Sequence, residues 1–109
     1  MNQSLAVLEK QYEFLQGSLP DLMSQDATPQ QLDAARAAIA QARTNYFKAI
    51  KGLLQDDDPE VASLVSQMNM AQLNLEAGVK HLGNVAKVLD VITKAVDIGS
   101  KLAAKVVAL

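Results

Sequence analysis

VAKVLDVITKAVDIGSKLAAKV, residues 85–106, is the stretch on which the fold turns. Lys87, Lys94 and Lys101 recur every seven residues, Asp90 and Asp97 keep the same interval between them, and the row extends back to Lys80. Seven residues make nearly two helical turns, so these charges share one narrow line and the apolar residues form a broad face behind it. The units KVLDVIT, KAVDIGS and KLAAKVV put polar residues at three of the seven positions and apolar ones at the other four. Asp90 precedes Lys94, and Asp97 precedes Lys101, by four positions, the favourable order for helical ion pairs worth about 0.3–0.5 kcal/mol. A two-stranded coiled coil needs only two apolar positions per heptad, so this helix must meet more than one neighbour.

Followed backward, the same seam reads Val61, Leu64, Met68, Ala71, Leu75, Gly78, Leu82, Val85, Leu89, Ile92, Val96, Gly99, Ala103 and Val106. Asp58-Pro59-Glu60 opens it with a capping aspartate, a proline at the first helical position and an acid near the positive end of the helix dipole. The spacing predicts one long amphipathic helix over 59–107, ~70 Å in length. The alternative is a break near Gly83, where Gly83-Asn84 would end one helix and cap the next.

Two shorter helices precede it. Leu5, Leu8, Tyr12 and Leu15 lie on one stripe and predict a helix over 4–16, closed by Gly17 and Pro20. A further turn after Ser18 would point Leu19, Leu22 and Met23 inward. Thr28-Pro29-Gln30-Gln31 reads as a capping box and starts a helix over 29–55, with Leu32, Ala35, Ile39, Ala42, Tyr46, Ala49 and Leu53 as its stripe. The expected fold is all-α: a single-domain antiparallel bundle of three helices, or of four if the break near Gly83 is real.

Composition agrees with this reading. Half of the 109 residues are apolar, chiefly Ala, Leu and Val, and there are few breakers, with three prolines and five glycines. A chain of this length can bury one core without disulfides or metal. Cysteine is absent, which excludes disulfides and thiolate metal sites. The N-terminal residues lack the pattern of a secretory signal, and charges interrupt every candidate span from Lys80 onward, so a cytoplasmic protein is expected. Residues 1–79 carry five basic and ten acidic side chains, whereas residues 80–109 carry five lysines and two aspartates. The two parts therefore attract each other or different partners.

The sequence holds little catalytic chemistry. His81 is the single histidine and reads as a boundary side chain beside the seam. Asp56-Asp57-Asp58 with Glu60 lacks calcium-loop spacing and reads as helix capping. Glu9 and Glu13 lie off the apolar stripe and are expected in solvent. Arg36, Arg43, Lys48, Lys51 and the lysine row come without a recognition-helix signature, so no nucleic acid is expected. A membrane surface suits residues 80–109 better, although no Trp or Phe anchors that segment. Of the methionines, Met68 belongs to the seam, and Met70 points elsewhere as a contact candidate.

In size, acidity and helicity the chain resembles the small accessory, co-chaperone and immunity proteins of bacterial secretion and toxin systems. That resemblance implies a protein partner and involves no shared motif. The expected function is a non-enzymatic binding module without metal or cofactor, acting as an adaptor, chaperone-like accessory factor or inhibitor. Val85, Leu89, Val91, Ile92, Val96, Ile98, Leu102 and Val106 would meet the partner through an amphipathic-helix contact. The alternatives are that the same face closes a homo-oligomer, or that it lies on a membrane.

Overall fold

The chain is all-α. In the computed structural model, which describes residues 3–80 and 84–108, the elements run α1 (Gln3–Ser24), α2 (Pro29–Lys51), β1 (Gly52–Leu53), α3 (Pro59–Lys80), α4 (Val85–Ala103) and β2 (Val107–Ala108). The core falls into two clusters, and partly buried Ile98 packs against both. One holds Leu8, Ala49, Val61, Leu64, Val65, Met68 and Leu102. The other holds Leu15, Leu22, Ala35, Ala42, Ala71, Leu75, Val88 and Ile92. Helices α1 and α3 therefore run one way, and α2 and α4 the other. Around the bundle α1 neighbours α2 and α3, and α4 completes the square, leaving α2 and α3 on a diagonal.

The long helix expected over 59–107 is instead two antiparallel helices, the four-helix alternative. Asn84 caps α4 by accepting from the backbone N–H of Lys87 at 3.3 Å. The physical reason is coverage: a 70 Å rod would leave much of its seam wet, whereas two helices side by side bury each other's apolar faces. Gly83, Leu82 and His81, on which the break and the boundary histidine were placed, lie outside the described residues.

Helix α1 continues past Gly17 and Pro20 to Ser24, eight residues beyond the expected end. Its buried stripe is Ser4, Leu8, Gln11, Leu15, Ser18 and Leu22, an unbroken alternation of four and three. Pro20 and the Gln16 carbonyl it orphans lie on the exposed side, where water can satisfy the lost bond. Tertiary burial of Leu22 thus outweighs two breakers, and the turn comes at Asp26, the one non-glycine with a positive φ (57°) among the described residues. Met23, expected inside, is exposed.

The capping box of α2 forms as read: Thr28 Oγ1 accepts from the N–H of Gln31 at 3.1 Å, and Gln31 Oε1 accepts from that of Thr28 at 2.9 Å. The helix ends at Lys51, not Gln55, because Gly52 and Leu53 pair with Ala108 and Val107 in a short antiparallel ladder. A Cβ on Gly52 would lie 2.1 Å from Val106 Cγ1, so only glycine lets the two segments close. Consequently Leu53 is exposed and Leu54 is the residue that enters the core.

Polar residues tie the helices together inside. Gln11 donates from Nε2 to the Ala95 carbonyl at 2.9 Å. Asn45 donates to Ser100 Oγ at 3.2 Å and accepts from Gln41 at 2.9 Å. Both amides reach α4 over Gly99, where a Cβ would stand 2.7 Å from Gln11 Oε1 and 3.4 Å from Asn45 Nδ2.

Candidate docking face

Between Glu60 and Glu76 the sequence has no charged residue: Val61 to Leu75 is a run of 15 uncharged positions. In a surface helix one flank normally carries charge to hold water. Here α3 buries Val61, Leu64, Val65, Met68, Ala71, Gln72 and Leu75 and still presents apolar groups on its outer side. Met70 and Leu73 are each 68% exposed, the highest values among the large hydrophobic residues described. On α3 their neighbours include Ser66, Gln67, Asn69 and Asn74, small or amide side chains without charge.

Beside this face a groove of about 600 Å³ runs between α3 and α4. Met70, Ala71 and Ala77 form its α3 wall, and Val91, Ala95 and Ile98 its α4 wall. Small alanines on both sides keep it open. Lys94 stands at the rim, paired with Asp90 at 3.0 Å as the heptad order predicts. Asp97 and Lys101, the other expected pair, are not in ion-pair contact among the described residues.

The eight residues expected to meet a partner divide into groups. Ile92, Val96 and Leu102 are buried in the chain's own core, at 2%, 5% and 0% exposure. A partner could reach them only by displacing another helix. Val85 and Leu89 are half-buried against the same core, and Val106 packs beside Leu102 and Gly52. Only Val91 and Ile98 border the groove. Met70 lies where the sequence reading put it, away from the core. Leu73 escaped that reading because it is off the seam. The signal that could have found it was the absence of charge over 61–75.

The acidic run caps helices. Asp58 Oδ1 accepts from the N–H groups of Glu60 at 2.9 Å and Val61 at 3.2 Å, opening α3. Asp56 reaches across to α1, accepting from the N–H groups of Gln3 at 2.8 Å and Ser4 at 3.1 Å and from the Ser4 hydroxyl. The Ser4 hydroxyl bond, with the backbone bonds behind it, holds the Asp56 carboxyl below the usual range. Among the described residues no group of three or more His, Cys, Asp or Glu side chains is placed to hold a metal ion.

Glu9, expected free in solvent, accepts a hydrogen bond from the Tyr46 hydroxyl, which raises the Tyr46 pKa above its ordinary value. Tyr46 packs with Tyr12 and Phe47, and the Arg43 guanidinium lies 5.1 Å from the Phe47 ring centroid. Lys105, whose pKa is raised by its bond to Glu60, ties the C-terminal segment to the start of α3. Among the described residues no helix is long and apolar enough to cross a membrane.

Comparison with known proteins adds no constraint: no family model, curated protein sequence or solved structure matches the chain.

Proposed function

We propose that this chain is a non-enzymatic protein-binding module, an adaptor or accessory factor that docks a helix of its partner along α3 and the α3–α4 groove. The observation that carries the reading is the uncharged run over 61–75, with Met70 and Leu73 both 68% exposed beside a groove of about 600 Å³. Burying an exposed Leu or Met side chain contributes roughly 1.5–3 kcal/mol, so two adjacent ones give a contact its centre. Methionine adapts to varied surfaces, and the amides of Gln67, Asn69 and Asn74 supply hydrogen bonds at the edge. The complementary ligand is an amphipathic helix whose apolar residues repeat at three- and four-residue intervals.

This moves the contact expected on the C-terminal helix toward α3, while keeping Val91 and Ile98 within it. Its test is site-specific photo-crosslinking in the native host. A photoreactive residue at Asn74 should give a discrete adduct that disappears when Leu73→Lys is added. The same residue at Thr44, on the exposed side of α2, should give none. Equal adducts from both positions, or none from Asn74, would remove α3 as the docking face.

A further inference from the structure

We infer that the α3 face takes a second copy of this chain, with the two α3 helices antiparallel about a two-fold axis at Met70. The inference rests on reading α3 as a docking surface and names what occupies it. The exposed positions of the stripe are Glu60, Ser63, Ser66, Gln67, Met70, Leu73, Asn74, Ala77 and Lys80. Reversed about Met70, this set maps onto itself: Ser63 faces Ala77 of the other copy, Ser66 faces Asn74, Gln67 faces Leu73, and Met70 faces Met70.

Charge selects both occupant and direction. A two-fold contact sets every residue against the same surface of its copy, so a patch of one sign repels itself. This stripe is neutral in its middle and carries Lys80 in the last turn of α3; at its start Glu60, already paired with Lys105 of the same chain, stands beside Asp57 and Asp58, so that end keeps a negative balance. Antiparallel pairing places each Glu60 opposite a Lys80, whereas parallel pairing would oppose like charges. The antiparallel helix dipoles act in the same sense. Lys94 at the groove rim is already paired with Asp90 and adds no unmatched cation.

From Glu60 to Lys80 the stripe is ~30 Å long. Stable interfaces at the small end bury on the order of 600–800 Å² per partner, and the stripe together with the adjoining groove is the surface that would supply it. The rest of the surface is less suited. The exposed side of α2 carries Arg36, Arg43, Lys48 and Lys51 against Asp33 alone, a charged face that would oppose its own sign across a two-fold axis.

The chain has no cysteine, so single introduced thiols report the register directly. Light scattering on the full chain from ~1 to ~300 µM should show the mass rising from 11.7 kDa toward twice that value. Met70→Glu, which opposes two carboxylates at the axis, should raise the dissociation constant by at least about 100-fold without unfolding the monomer. Met70→Cys should cross-link to itself under mild oxidation. Ser63→Cys alone should not, but mixed with Ala77→Cys it should give the mixed disulfide.

A wild-type mass that stays monomeric at the highest concentration overturns the inference. So does a dimer indifferent to Met70→Glu, or self-cross-linking of Ser63→Cys, the mark of parallel pairing. A monomer whose Asn74 photoprobe still captures a host protein sinks the second copy alone and leaves the docking face standing. Failure of both removes the face itself.

Discussion

Helices α3 and α4 pack against one another, yet they spend their apolar residues in opposite ways. α4 is strongly amphipathic: Val88, Ile92, Ala95, Val96 and Leu102 are buried, and Lys87, Asp90, Lys94, Asp97 and Lys101 face water. α3 is weakly amphipathic because apolar side chains lie on both sides, with Met68 and Leu75 within and Met70 and Leu73 outside. The contrast teaches that strong amphipathicity records a face the fold has already used. Apolar surface that the fold leaves uncovered shows where the outer side fails to become charged.

Four substitutions test the difference between the two helices. The largest effect belongs to the inner face of α4. Leu102→Ala should cost about 2–5 kcal/mol in urea unfolding followed by circular dichroism, because Leu102 is fully buried and its removal leaves a cavity. A loss under 1 kcal/mol would mean that α4 is not the packed helix described.

Next comes Gly99→Ala. Alanine gains about 1 kcal/mol of helix propensity but forces a Cβ against Gln11 and Asn45, which typically costs more. A net loss of about 1 kcal/mol is expected. In a Gln11→Ala background the same change should stabilise, since the obstructing amide is gone. Additive effects would show that Gln11 does not close over Gly99.

Asp56→Asn tests the tertiary cap on α1: both carboxylate oxygens accept there, and an amide NH2 cannot, so a loss of about 1 kcal/mol is expected near neutral pH. Because the folded-state pKa of Asp56 lies below its ordinary 3.8, its contribution is present above that value and lost as pH falls through the lower one. The stability difference between wild type and Asp56→Asn should therefore be constant above about pH 5 and shrink below about pH 4. A difference that persists at about pH 2 would exclude the carboxylate as its source.

The smallest effect on stability, and the one that separates the two helices, is Leu73→Lys. An exposed substitution should change unfolding by no more than about 0.5 kcal/mol, while association through α3 is lost. A large destabilisation would place Leu73 in the core and end the distinction.

Much of the helical content was legible because periodicity and capping are local. The Thr28 box, the Asp58 start and the seam from Val61 to Ala103 each needed only a few neighbouring residues. The same local rules misjudged α1, where Gly17 and Pro20 looked like a stop but Leu15, Ser18 and Leu22 find a common core. The candidate face was half legible. Met70 fell off the seam, but whether Leu73 was covered depended on which helices flank α3.

The amino-acid order alone fixed the helical class, the starts of α2 and α3, and the inward stripe of α3 (Val61, Leu64, Met68, Ala71 and Leu75), whereas the buried Val88, Ala95 and Leu102 of α4 lay off the seam. Helical period and hydrogen-bonding caps act over a turn or two, and that is as far as they reach. Packing in three dimensions settled that the long seam folds back into two helices, that Asp56 caps a helix 52 residues earlier, and that α4 buries its apolar face while α3 keeps apolar groups on its outer side. Those outcomes depend on which surfaces can cover one another in a single packed arrangement, and no local spacing encodes that competition.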